Sequence, residues 1–88
     1  MAAKVYVSIS VIFREDGKMT PSRLTWTDGR TYDIDRVFSV RPSYAEKAGG
    51  MGDRYLVRIL GAEKSLFFEH SADPASPWPG RWFVETEG

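Results

Sequence analysis

The stretch LTWTDGRTYDID, Leu24 to Asp35, decides how this chain is read. It sets a tryptophan, a tyrosine, an arginine and three aspartates around one glycine, which suits either an acidic site or two strands folding back on each other. Side-chain parity separates the two. A two-residue turn at Asp28-Gly29 would place Leu24 opposite Asp33 and bury a carboxylate beside leucine. A three-residue loop, Thr27-Asp28-Gly29, with Gly29 in the left-handed conformation of a type I turn plus bulge, sets Leu24 opposite Tyr32. Leu24, Trp26, Tyr32 and Ile34 then share one face, and Asp33 and Asp35 share the other. A one-residue slip would exchange core and solvent faces, so the three-residue loop is predicted. The aspartates read as solvent-facing strand residues.

Working outward, KVYVSISVIFR (Lys4 to Arg14) alternates cleanly. Val5, Val7, Ile9, Val11 and Phe13 point one way and Tyr6, Ser8, Ser10 and Ile12 the other, as in a half-buried strand. Glu15-Asp16-Gly17 supplies turn chemistry, and Thr20-Pro21-Ser22 predicts an irregular connection before the next strand. Beyond Arg30 the strand continues to Arg41. Val37 breaks the alternation of Tyr32, Ile34, Phe38 and Val40, which predicts a bulge or bend near Asp35-Arg36, and Pro42 is expected to end the strand. Ser43-Tyr44-Ala45-Glu46 fits a capping box, with Gly49 or Gly50 closing one or two turns of helix and GGMGDR following as a loop. RYLVRIL and SLFFEH flank GAEK. A turn at Ala62-Glu63, or a loop from Gly61 to Lys64, pairs Ile59 with Leu66, Val57 with Phe68 and Tyr55 with His70. The Pro-rich SADPASPWPG leads to a last strand, RWFVET, with Trp82 and Val84 on one side.

This order predicts an all-β fold: a small six-stranded antiparallel, partly closed barrel, SH3-like or OB-like, with one short helix between strands 3 and 4. Both topologies stay open at this level. Residues 1–88 make a single domain, since a chain of 88 residues has room for one core. Apolar residues at 42 % and aromatics at 14 % can fill that core, and with no cysteine it must hold by packing alone. The N-terminus lacks the uninterrupted apolar segment of a signal peptide and no stretch is long enough to cross a bilayer, so a cytoplasmic location is expected.

Twelve Lys and Arg balance twelve Asp and Glu, a formal net charge of zero that removes the broad attraction behind non-specific duplex binding. His70 is the one histidine, no cysteine is present and no nucleophile elbow surrounds a serine, so no catalytic residue is predicted. Asp33, Asp35, Glu69 and His70 lack the donor set and spacing of a zinc or calcium site, and KAGGMGDR lacks the Gly-Lys-Ser/Thr ending of a phosphate loop; no metal or cofactor is expected. The feature that remains is a mixture of arginine with apolar and aromatic residues. Trp26, Tyr32 and Trp82 go to the core by parity. Arg30, Arg36, Leu56, Arg58, Phe67, Trp78, Arg81 and Phe83 are left as a candidate interaction surface. Leu56, Leu60, Phe67, Phe83 and Val37 lie opposite the assigned core, which predicts cover by a loop, a partner or a second copy. The expected function is a non-enzymatic binding module for a protein partner or for itself. The alternative is single-stranded nucleic-acid binding, which stacks bases on aromatic side chains and holds phosphates with arginine.

The segments W-T-D-G-R-T-Y-D-I-D-R-V, R-P-S-Y-A-E-K-A-G-G-M-G-D-R-Y-L-V-R-I and L-F-F-E together resemble a family of small uncharacterised bacterial proteins built on W-x-D-G-R-x-Y-x-I-D. The similarity spans Thr20 to about Glu85. It implies a bacterial cytoplasmic β domain and carries over no functional residue.

Overall fold

Thr27, Asp28 and Gly29 form the predicted three-residue loop. Trp26 N–H donates to the Arg30 carbonyl at 2.8 Å, Gly29 N–H donates to the Trp26 carbonyl at 3.0 Å, and Gly29 sits at φ 88°. Asp28 fixes the turn from outside by accepting the Arg30 N–H on its carboxylate at 3.0 Å. The pairs Arg23↔Asp33, Leu24↔Tyr32 and Thr25↔Thr31 follow, as side-chain parity requires. In the computed structural model, which describes residues 2–45 and 50–87, this loop joins the second and third of six antiparallel strands that close into a small barrel. The strands are β1 (Ala2–Phe13), β2 (Met19–Thr25), β3 (Thr31–Ala45), β4 (Gly50–Ile59), β5 (Ala62–His70) and β6 (Gly80–Glu87), in barrel order β1-β2-β3-β4-β5-β6 with β6 returning to β1. Every connection joins neighbours, so the barrel is a meander, without the Greek-key path of an OB barrel.

Three connections differ from expectation. The first is a tight hairpin, because Glu15-Asp16-Gly17 repeats the Thr27-Asp28-Gly29 device: Arg14 N–H reaches the Lys18 carbonyl and Gly17 N–H the Arg14 carbonyl. Thr20, Pro21 and Ser22 therefore belong to β2. The irregularity they signal is a bulge, where Ser10 pairs with Arg23 and Val11 with Pro21, leaving Ser22 extra; its hydroxyl bonds the Ser10 carbonyl at 3.1 Å. Pro21 is buried at that bulge, a position in a sheet that proline tolerates.

The second difference replaces the expected helix. Ser43, Tyr44 and Ala45 continue β3, opposite Gly52, Met51 and Gly50, so Pro42 does not end the strand and the GGMGDR segment from Gly50 onward is β4. Glu46 to Gly49, the rest of the proposed helix, lie outside the described residues. Pairing between the two arms outweighs the capping-box signal. Proline fits here because β3 beyond Ile34 has a strand on one side only among the described residues. Bulges at Asp35 and Phe38 and the proline also blunt this open edge, which counts against edge-to-edge pairing.

The third difference is the β4–β5 turn. Leu60 and Gly61, at φ 51° and 75°, make a two-residue turn that pairs Ile59 with Ala62, Val57 with Lys64, Tyr55 with Leu66 and Asp53 with Phe68. His70 stands opposite Gly80, away from Tyr55. Leucine rarely takes a left-handed conformation, so Gly61 was the one local mark of a turn here and Leu60 gave none. The shift is four residues, an even number, and the inward face is unchanged.

That face builds the core. Leu24, Tyr55, Val57, Leu66, Phe68 and Trp82 are buried, with Val7, Ile9, Met19, Trp26, Tyr32, Ile34, Val37, Ile59 and Val84 packed around them. Trp82 meets both Phe68 and Tyr55 at ring separations of 4.9 and 5.0 Å. The Tyr55 hydroxyl donates to the Met19 carbonyl at 3.4 Å, and burial raises its pKa above the usual phenol value. The inward row of β1 is not all core: Val11 and Phe13, although paired with Pro21 and Met19, are exposed, Phe13 at 71 %. Val37, read as breaking the alternation, is packed against the core, and Phe38 at the bulge is turned toward solvent.

Candidate functional site

Pairing across five strands brings most of the predicted surface residues onto one outer face. A single cross-strand row runs Arg41, Arg54, Phe67, Phe83 and Tyr6, from β3 through β4, β5 and β6 to β1. On one side of that row lie Ser39, Leu56 and Ser65, and beyond them Arg36, Arg58 and Glu63; on the other side lie Gly52, Glu69 and Arg81. Arg36, Leu56, Arg58, Phe67, Arg81 and Phe83 are thus gathered, as the sequence suggested. Arg30 is not: it lies in the β2–β3 turn, its guanidinium 3.5 Å from the Asp28 carboxylate. Trp78 lies on the β5–β6 loop, at the edge of the face beside Arg81.

The apolar half of this face covers itself. Phe83 is only 2 % exposed although it points away from the core. Phe67 stacks on it in parallel at 5.0 Å, Tyr6 meets it edge-on at 5.8 Å, and the Lys4 ammonium lies 4.5 Å from its ring centroid. Side chains of neighbouring strands bury it, and neither a loop nor a partner is needed. Leu56 is half-buried, while Leu60, at the turn, is exposed.

Next to it Glu69 gathers three donors: Lys4 Nζ at 2.6 Å, the Tyr6 hydroxyl at 3.2 Å and Arg81 Nη2 at 3.3 Å. The hydrogen bond from Lys4, with further help from its charge, holds the Glu69 carboxyl below its ordinary pKa against the opposing effect of burial, and the same bond raises the Lys4 ammonium. Arg81 also lies over the Tyr6 ring, its guanidinium carbon 4.0 Å from the centroid, so that face of the ring is occupied. Gly52 sits opposite Glu69 with no side chain, and a Cβ there would overlap the Phe68 carbonyl oxygen; glycine lets β4 approach β5 this closely. The adjoining loop is ordered by its own side chains. Asp73 accepts the Ala75 N–H at 2.9 Å and the Ser76 hydroxyl accepts the Trp78 N–H at 3.2 Å, leaving Trp78 73 % exposed beside a cleft of about 610 Å³.

The arginine half of the face is different. Arg36 stands directly opposite Arg58, and Arg41 directly opposite Arg54, with Ser39 and Leu56 between the two pairs. Among the described residues none of the four comes within ion-pair distance of a carboxylate. Arg54 donates twice to the Ser65 hydroxyl, at 2.9 and 3.1 Å, and Arg36 leans over Phe38 at 5.3 Å. A cross-strand acid closes an ion pair with Arg23, 3.1 Å from Asp33, whereas Arg58 closes none although Glu63 stands opposite it on β5. Arg41 and Arg54 were missed by sequence reasoning. The alternation Arg54-Leu56-Arg58 was visible, but the opposing Arg36 and Arg41 enter only through the β3–β4 register.

The groups weighed for catalysis or metal binding are dispersed. His70 Nε2 lies 2.9 Å from Asp53 Oδ2 and has no hydroxyl partner among the described residues, Asp33 pairs with Arg23, and Glu69 belongs to the cluster with Lys4. No group of three metal-ligating side chains occurs among the described residues, and no helix there is long and apolar enough to cross a membrane. No protein-family model, curated protein or solved structure matches the chain.

Proposed function

We propose that the protein is a non-enzymatic binding module whose outer β3–β4 face holds an acidic segment of a protein partner, with Arg36, Arg41, Arg54 and Arg58 as the contacts. The observation that carries this reading is the pair of arginine pairs: like charges placed directly opposite each other destabilise a sheet, and although Glu63 stands opposite Arg58 on β5, none of the four closes an ion pair with a described carboxylate. An anionic partner removes that cost and gains charge-assisted, bidentate hydrogen bonds in return. Four strand steps separate Arg54 from Arg58, about 13 Å at the usual rise per residue, and an extended acidic segment spaces carboxylates at i and i+4 by the same distance.

The state of the aromatics favours a protein over a single-stranded nucleic acid. Base stacking needs free ring faces, whereas within the face Phe83 is covered, Phe67 is stacked on it and one face of Tyr6 lies under Arg81, and the exposed Trp78 stands apart from the four arginines on the β5–β6 loop. Self-association through this face would set arginine against arginine, which argues against the homo-oligomer form.

Fluorescence anisotropy with a labelled oligo-glutamate peptide and a labelled oligothymidine, in about 50 mM salt where surface charge is weakly screened, tests the reading. The peptide should bind, and reversing Arg54 and Arg58 together to Glu should weaken it by about tenfold or more. Absence of peptide binding, or tighter binding of the oligothymidine, refutes it.

A further inference from the structure

The barrel is not equally closed all round. The β5–β6 ladder runs only from Phe67↔Phe83 to His70↔Gly80. Past Phe83, β6 stays paired to β1 through Val84↔Val5 to Glu87↔Ala2, while β5 before Phe67 stays paired to β4. The two strands part, and among the described residues the mutually facing backbone edges of 64–66 and 84–86 are not paired to each other.

The parting opens a groove of about 740 Å³ that runs from the outer face into the barrel interior. Its floor is apolar, formed by Leu24, Trp26, Tyr32, Ile59 and Val84. Trp26 and Tyr32, expected to be core, are half-buried because they line this groove. Its rim carries Lys64 and Arg54 on one side and Glu85 on the other, and no described carboxylate pairs with Lys64 or Arg54. Arg54 belongs both to this rim and to the arginine face, so groove and face are continuous.

We infer that the acidic segment bound by the arginine face also carries a bulky apolar residue, and that this residue seats in the groove while the flanking backbone lies extended along the parted edges of β5 and β6. The inference rests on the proposed reading of the arginine face. Three features select this occupant. Two facing strand edges offer hydrogen bonds to an extended chain, the apolar floor suits a large anchoring side chain of the kind that dominates interface energies, and the cationic side of the rim, Lys64 and Arg54, matches acidic neighbours of that anchor.

The test compares two labelled peptides of equal length and charge, one of glutamate and serine, the other with phenylalanine replacing the central serine. On the unmodified protein the phenylalanine peptide should bind about tenfold more tightly or better, the scale of a well-seated anchor. Ala62→Trp, which fills the groove from an exposed lining position, should remove that advantage and leave the glutamate-serine peptide unaffected. Equal binding of the two peptides to the unmodified protein, which requires no variant to fold, overturns the inference while the arginine-face reading stands. An advantage that survives Ala62→Trp in a variant with unaltered circular dichroism also overturns it. Failure of both peptides to bind removes the two proposals together.

Discussion

Replacing Arg41 by glutamate should make the protein more stable and a poorer binder. Arg41 is exposed, faces Arg54 directly across β3–β4, and has no strand on its other side among the described residues. Directly opposed side chains in an antiparallel pair have Cβ atoms about 4.5–5.5 Å apart, where opposite charges stabilise by about 0.2–1 kcal/mol and like charges destabilise. Solvent screening at an exposed site keeps each effect near the low end, so exchanging repulsion for attraction should contribute about 0.5–1 kcal/mol in all. Unfolding entropy near the midpoint is about 2.1 cal/mol/K per residue, or about 0.19 kcal/mol/K for this chain, and the gain corresponds to a rise in Tm of about 3–5 °C. Arg41→Gln, which removes the repulsion without adding attraction, should recover about half of it. The Debye length shrinks from about 10 Å at 0.1 M salt to about 3 Å at 1 M, so both gains should fade in molar NaCl. Thermal unfolding followed by circular dichroism at low and high salt measures this, and the peptide titration on the same samples measures binding. A Tm that falls at low salt, or a gain unchanged by salt, would show that the two guanidinium groups do not repel as the register implies.

Two further perturbations separate backbone from side-chain causes. Gly29→Ala meets open space but forces a side chain into the left-handed region, costing about 1 kcal/mol, whereas Gly52→Ala must push β4 from the Phe68 carbonyl and should cost about 2 kcal/mol or more; denaturant midpoints that rank them the other way contradict the close β4–β5 approach. Glu69 has its folded pKa below the ordinary 4.5, so its contribution is present above that value and lost as pH falls through the folded pKa. Glu69→Gln should therefore lower Tm at neutral pH, and its gap from the unmodified protein should close on acidification below 4.5; a gap that is constant with pH would assign the effect to packing instead.

Phe83 shows why the candidate surface was only partly legible. Its parity put it outside the core, correctly, but whether an outward phenylalanine meets water depends on Phe67, Tyr6 and Lys4. Those contacts link residues as far apart as Lys4 and Phe83 in the chain. The arginine face was half visible for the same reason, since Arg54 and Arg58 alternate within one strand while Arg36 and Arg41 join them only through pairing.

The sequence by itself determined what depends on neighbours along the chain. The period of two marked the inward side chains along β4, β5 and β6 and up to Ile34 of β3, but not past the β3 bulges, where Val37 packs on the core and Phe38 and Val40 are exposed. The Asp-Gly turn chemistry fixed the β2–β3 register, because a slip of one residue there would have buried aspartate. Tertiary structure decided what depends on two distant segments at once. The β4–β5 register turned on Leu60 accepting a left-handed backbone so that Phe68 could meet Trp82. The end of β3 became strand because Gly50 to Asp53 lay beside it. The parting of β5 from β6, and with it the groove, follows from β6 pairing with β1 and β5 with β4. A hydrogen-bonded ladder needs two strands, and no local run of residues records which second strand it will meet.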